Sequence, residues 1–303
     1  MNIVIKVNEE TKQKMIEYYK DKVRDKKIPY AIFQAQEEDT VITLYESGKA
    51  MFQGTSADVD AAMWGTVLDN TKEKQEEQKK KDQKYHNCSS VGSDEVGTGD
   101  YFGPIVVTAA YVKKEDVEKL EKLGVGDSKK ITDDKIKKIT PELIKIVKYR
   151  SMILTNKEYN EKYTKDINMN KIKAILHNKV LYQLMTEEKP NIEYIVVDEF
   201  ARENRYYEYL NGIPNIQRNI TFMTKAEDKN LAVAAASIIS RYIFLKEFDK
   251  LSDSIHIPLP KGAGRDVDEI GEEIVEKYGE EKLQEIAKVN FKNTDRILHT
   301  MIF

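Results

Sequence analysis

Residues 69–84, DNTKEKQEEQKKKDQK, place no apolar side chain in sixteen consecutive positions. A segment with nothing to bury cannot enter a hydrophobic core, so it reads as a solvated linker. The chain of 303 residues is thereby divided into parts that must each build a core of their own, 1–68 and 89–303, with 69–88 as a charged connection between them. Both parts are long enough to do so. A tether of this kind lets one part grip a substrate while the other acts on it, which raises the local substrate concentration.

The first part alternates apolar and polar residues over 3–7, which gives a strand. Met15, Ile16, Tyr19 and Val23 have the spacing of an amphipathic helix across 9–24. Three strand-like runs follow, 30–36, 40–45 and 50–53, with Ser47 and Gly48 as a hairpin turn. A helix capped by Thr55 or Ser56 then carries Val59, Met63, Trp64 and Val67. The order β-α-β-β-β-α is a small α+β unit.

At 40% hydrophobic and 33% charged, the whole is globular in composition. No apolar run approaches the roughly 18 residues of a membrane helix. The first ten residues alternate rather than forming the basic start and apolar core of a signal peptide, so a cytoplasmic location is expected. The net charge of −3 argues against a uniformly basic coat and leaves room for local basic faces, such as Lys20, Lys22, Arg24, Lys26 and Lys27. One cysteine, Cys88, excludes an internal disulfide. His86, His177, His256 and His299 have no paired spacing, so no zinc site is expected, and all four read as structural or surface residues.

The chemistry concentrates in residues 92–108, GSDEVGTGDYFGPIVVT. Adjacent Asp94 and Glu95 gather negative charge that a folded site keeps only if it is solvated, paired or bound to a cation. Hard oxygen ligands favour magnesium or manganese. Gly97, Gly99 and Gly103 lack a Cβ and let the backbone approach a ligand, and β-branched Ile105, Val106 and Val107 begin a second strand. A backbone reader beside a metal site suits a sugar-phosphate substrate.

Further on, residues 149–154 read as a third strand, and Asn168 caps a helix with Ile172, Ile175, Leu176, Val180 and Leu184 on one face. The run YIVVDEF ends in Asp198 and Glu199, and an acid at the C-terminal end of a central strand lies where an open α/β sheet places its chemistry. Glu199 is expected to cap or to face solvent. The helix that follows KAED is apolar on nearly all faces and must be buried, with Ala234, Ala235, Ala236 and Ser237 allowing close packing on the sheet. Its first turn carries Glu227 or Asp228, the latter as an N-cap. Two short helices close the chain, near 269–278 and 280–289, and no GxxxxGK[S/T] loop is present, which disfavours an ATPase.

The string DEVGTGDYFGP resembles the signature of the type 2 ribonucleases H, and among them the ribonuclease HIII branch, because Thr98 stands where the HII branch has arginine. DSKKIT at 127–132, Asp198, KAE before the AAAS helix and LPKGAG at 259–264 are similar to other segments of that family. The resemblance implies a ribonuclease H-like α/β fold, a mixed five-stranded sheet flanked by helices, preceded by a domain similar to one repeat of the TATA-binding protein. It implies an enzyme that cuts the RNA strand of RNA/DNA hybrids by a two-metal-ion mechanism, leaving 5′-phosphate and 3′-hydroxyl ends; a monomer is expected. Asp94, Glu95, Asp198 and Glu227 would be catalytic and hold two Mg²⁺ or Mn²⁺ ions. Gly97, Thr98 and Gly99 would read the 2′-hydroxyl, Lys129 and Lys261 would meet phosphates, and Tyr45, Lys49, Phe52 and Gln53 would lie on the open sheet face of the first domain. The alternatives are HII-like incision at single ribonucleotides in DNA, a junction resolvase, and a hybrid-binding module without turnover. The last fits poorly, since clustered acids facing a polyanion do not aid binding.

Overall fold

A computed structural model of the protein describes residues 2–25, 28–64, 82–126 and 131–300, in two units, 1–80 and 81–303. The sequence features at Lys26, Lys27, Val67, 69–81 and 127–130, Lys129 among them, lie outside the described residues. Among the described residues no helix is long and apolar enough to cross a membrane.

The first unit follows the expected order: β1 (Asn2–Lys6), α1 (Glu9–Tyr19), β2 (Ala31–Glu37), β3 (Thr40–Tyr45), β4 (Lys49–Gly54) and α2 (Ala57–Ala62). Its strands form one antiparallel sheet in the order β1-β4-β3-β2. Asn8 opens α1 by accepting from the Thr11 amide at 2.8 Å. Ile5, Met15, Ile42, Leu44 and Phe52 are fully enclosed with Tyr19, and burial of each such side chain contributes roughly 1.5–3 kcal/mol.

Strand alternation decides the rest of this unit. Lys49, Met51 and Gln53 point one way, and Ala50 and Phe52 the other, into the core. Phe52 is therefore a core residue, not part of the open face. Tyr45 shares the phase of Thr43, which pairs with Met51, and so lies with Lys49 and Gln53 on the face away from the core. The second helix also departs from expectation. It is short and buries Ala57 and Ala61, while Val59 and Met63 are exposed, because a six-residue helix presents only its small residues to the sheet.

The second unit contains β5 (Ser90–Val96), β6 (Ile105–Val112), α3 (Val117–Leu123), α4 (Asp133–Ile146), β7 (Lys148–Leu154), α5 (Asn156–Lys162) and α6 (Met169–Glu188). It continues with β8 (Tyr194–Asp198), α7 (Glu203–Tyr209), β9 (Ile220–Met223), α8 (Leu231–Ile255), α9 (Arg265–Tyr278), α10 (Glu281–Ile286) and α11 (Lys292–Thr300). The third closing helix, α11, was not expected from the sequence. Its Ile297 packs with Ile274 and Ile286 in the same core.

The sheet order is β7-β6-β5-β8-β9. Strands β7, β6 and β5 run antiparallel to their neighbours, and β5, β8 and β9 run parallel, so the sheet is mixed. One face buries Val91, Val107, Ala109 and Val197 with Leu176, Val180 and Leu184 of α6. On the other face Ala110 and Val112 meet Ala232, Ala235 and Ile239 of α8 and Ile136 and Leu143 of α4. Helix α8 rests so close to the sheet that a Cβ at Gly92 would lie 2.4 Å from the Val233 nitrogen, which accounts for its run of small residues. Its N-cap is Asn230, whose Oδ1 accepts from the amides of Ala232 and Val233 at 3.0 and 3.1 Å. Asp228, the expected cap, lies two residues too early, in the single 3₁₀ turn Ala226–Asp228.

Candidate active site

Strand β5 carries Asp94 and Glu95 to the edge of the sheet where β8 ends. Because β5 and β8 are parallel with Ser93 opposite Val197, the next residues, Asp94 and Asp198, come level with one another. Neighbouring residues on a strand point to opposite faces. Asp94 shares the α8 face with Gly92 and hydrogen-bonds the Ser237 side chain, and Ser240 Oγ donates to its carbonyl at 3.1 Å. Asp198 is in phase with Val196, which packs on Val233 of α8, and its Oδ1 accepts from the Ala226 amide at 2.9 Å. That bond brings the 3₁₀ turn bearing Glu227 against the end of β8.

Glu95 turns to the opposite face, toward α6. One carboxylate oxygen forms an ion pair with Lys173, and the other accepts from His177 Nε2 at 2.8 Å. His177 is wholly buried, and its Nδ1 lies 2.7 Å from Ser93 Oγ. A carboxylate only accepts, so Nε2 carries the hydrogen and donates to Glu95. Lys173 also lies 4.1 Å from the centre of the Phe200 ring, a cation–π contact.

These surroundings separate the two acids. Burial, together with the charges of Glu95 and Asp198, pushes the Asp94 carboxyl up to about 7. Burial acts in the same direction on Glu95, but His177 and Lys173 together overcome it and hold that carboxyl down at about 2. Glu95 thus has its counter-charge within the fold, and among the described residues Asp94 and Asp198 form no ion pair.

Residues 97–103 connect β5 to β6. Gly97 is buried with φ +95°, and a Cβ there would lie 2.1 Å from the Pro104 carbonyl oxygen, so glycine is required by both conformation and space. Gly99 is exposed with open space around it, and Thr98 is half-buried beside it. Gly97 is therefore a fixed point of the loop, and Thr98 and Gly99 are more exposed than it is. Lys261 stands on the neighbouring loop in an ion pair with Asp133, which also accepts from Arg241 Nε at 2.8 Å.

The structure thus brings Asp94, Asp198 and the turn holding Glu227 to one face, with Glu95 on the other side of the strand. Among the described residues no three His, Cys, Asp or Glu side chains converge as a ready metal cluster. Asp94 and Asp198 nevertheless fit a hard divalent cation, since these two level carboxylates, one of them pushed toward the neutral form, make no ion pair among the described residues. His177 and Lys173 escaped the sequence reading, which assigned His177 a structural or surface place. Their i, i+4 spacing on α6 was the available signal. In the first unit, Lys22 pairs with Glu37 at 2.5 Å, and exposed Lys20 with Glu17 at 2.5 Å.

The family model described as Ribonuclease HII matches residues 91–294, and a domain of unknown function, DUF3378, matches residues 2–77. The ribonuclease HIII of Bacillus cereus is 41% identical, with 99% of each chain covered. That of Bacillus thuringiensis is 42% identical, with 97% of each covered. Among solved structures, Bst-RNase HIII in complex with Mn²⁺ superposes with a TM-score of 0.70 at 37% identity over 99% of both chains. With a family model over most of the second unit and relatives aligned from end to end, the chain belongs to the ribonuclease HII family and, within it, to the ribonucleases HIII.

Proposed function

We propose that this ribonuclease hydrolyses the RNA strand of RNA/DNA hybrids in the cytoplasm as a monomer, with Asp94, Glu95, Asp198 and Glu227 holding two Mg²⁺ or Mn²⁺ ions. The observation that carries the reading is the level pair Asp94 and Asp198 at the end of β5 and β8, in a chain of this family. When bound, such ions supply an activated water and stabilise the leaving 3′ oxygen of an in-line displacement.

The chain's own residues do the rest. Asp94 and Asp198 present oxygen donors on the α8 face, and Ser237 and the Ala226 amide fix their orientation. Glu95 is held from behind by His177 and Lys173, and its release from Lys173 would free an oxygen for a cation. Thr98 and Gly99 lie where a ribose can meet backbone N–H and C=O groups, and a 2′-hydroxyl both donates and accepts. Lys261 can exchange Asp133 for a phosphate cheaply, since exposed ion pairs are worth only about 0–1 kcal/mol. Tyr45 and Lys49 offer the first unit a stacking ring and a cation for the same duplex. The first unit is the substrate-binding domain in this reading, and 69–88 is the tether.

Because Thr98 replaces an arginine, runs of ribonucleotides are cut well and a single ribonucleotide in DNA poorly. The test is cleavage of end-labelled RNA/DNA, DNA/DNA, RNA/RNA and single-ribonucleotide duplexes with magnesium, manganese or chelator. The expected result is metal-dependent cutting confined to the hybrid, with 5′-phosphate ends. Preferred cutting of the single-ribonucleotide duplex would turn the assignment to HII-like incision, and DNA cutting would overturn it.

A further inference from the structure

Lys288 is a lysine with no solvent exposure, in the segment between α10 and α11. An ammonium is expensive to enclose unless donors and acceptors match around it. Here Nζ donates to two backbone carbonyls, Asp100 at 2.7 Å and Gly103 at 2.5 Å, and both belong to the 97–103 loop. The segment's backbone joins in the same work. The Lys288 amide donates to the Tyr101 carbonyl at 2.8 Å, and the Gly103 amide donates to the Ile286 carbonyl at 3.1 Å. Asp100, whose carboxylate bears on the Lys288 charge, also accepts from the Gly262 amide at 2.6 Å, next to Lys261.

A methionine or leucine would fill the same space without enclosing a charge. What the lysine adds is a pair of aimed N–H donors for carbonyls that belong to no strand. The two inward-facing carbonyls fix the 100–101 and 103–104 peptide planes, and with Gly97 held at the other end Thr98 and Gly99 lie between two fixed points. The Asp100–Gly262 bond extends the brace to the loop that carries Lys261, so the two surfaces proposed to meet ribose and phosphate are tied together.

We infer that Lys288 is a positioning residue for ribose recognition, holding the 97–103 loop in the shape that presents Thr98 and Gly99 to the 2′-hydroxyl. The inference rests on the ribose-reading role proposed above for that loop. Lys288 touches neither substrate nor the carboxylates, so its removal acts on substrate positioning and leaves Asp94 and Asp198 in place.

The test uses the full chain as wild type, Lys288→Met and Lys288→Gln. It reads KM and kcat on the RNA/DNA hybrid, and amide hydrogen exchange of 97–103 against 105–112. For Lys288→Met, KM should rise about tenfold or more while kcat changes far less, since a misplacement of about 1 Å far from the chemistry can cost about 10²-fold. Exchange should quicken in 97–103 and stay at the wild-type rate in 105–112. Lys288→Gln keeps N–H donors on a side chain one atom shorter and should fall between wild type and Lys288→Met. A lower Tm with unchanged KM and unchanged loop exchange would overturn the inference, and so would failure of both variants to fold, which would make Lys288 a core residue only. If the wild type itself leaves the hybrid uncut, the underlying functional reading fails instead, and the two failures are distinct.

Discussion

Glu95 and Asp94 are one bond apart in the chain and chemically opposite in the fold, because a strand sends successive side chains to opposite faces. Asp94 meets the small residues of α8 and the charge of Asp198, while Glu95 meets a histidine and a lysine from α6. The string DEVGTG announces the acids, but nothing local announces their partners: Lys173 and His177 lie about eighty positions away on a helix whose sequence supplies the spacing and no hint of the neighbour. Lys288 was hidden for a related reason, since a lysine between alanine and valine reads as surface until the carbonyls it serves are placed. In the proposed site His177 supports Glu95, and outer partners of ligating carboxylates typically matter by about 10–100-fold. His177→Ala should therefore lower hybrid cleavage by roughly that factor and raise the manganese concentration needed for half-maximal rate. A wild-type rate and wild-type metal requirement would remove His177 from the site.

At the scale of elements, the two helices that flank the sheet and the loop between β5 and β6 differ in how openly the sequence declares them. The apolar run of α8 and the β-branched run of β6 can only be buried, and both are. At the short α2, whose buried residues are alanines that an apolar spacing does not mark, and at the closing α11, expectation and structure part. The loop is declared by its glycines, though its bracing by 286–294 is a tertiary matter. That brace has a pH signature. Burial, partly opposed by the charge of Asp100, pushes the Lys288 amine down to about 7, whereas in the unfolded chain it titrates near its ordinary value of about 10.4. Between these values the unfolded chain holds the proton and the folded chain does not, so this residue's contribution to stability rises with pH across that window, and the burden of the enclosed charge is fully present below 7. Measured by denaturant at pH 7 and pH 9, wild type should gain about 2 kcal/mol relative to Lys288→Met. Parallel pH dependence of the two proteins would contradict the enclosed amine. The tether itself persists in either state, since a neutral amine still has two N–H donors.

For the whole molecule, the first unit packs around one apolar cluster, while the second buries apolar clusters on both faces of its sheet and beneath the closing helices. The mixed five-stranded sheet was legible through the family resemblance rather than from periodicity, because parallel pairing of β5 with β8 joins residues about a hundred positions apart. What the fold achieves at that pairing is the level placement of Asp94 and Asp198, and the account stands or falls on it. The most direct measurement is the single-turnover rate of hybrid cleavage in magnesium by wild type, Asp94→Asn and Asp198→Asn, with hybrid binding measured alongside. Each substitution keeps the shape and removes one carboxylate, so the rate should fall by about three orders of magnitude or more while hybrid affinity is held or improved, as expected when charge that repels a polyanion is lost and only metal-assisted chemistry is disabled. Cleavage within tenfold of wild type by either variant would contradict the assignment of the site.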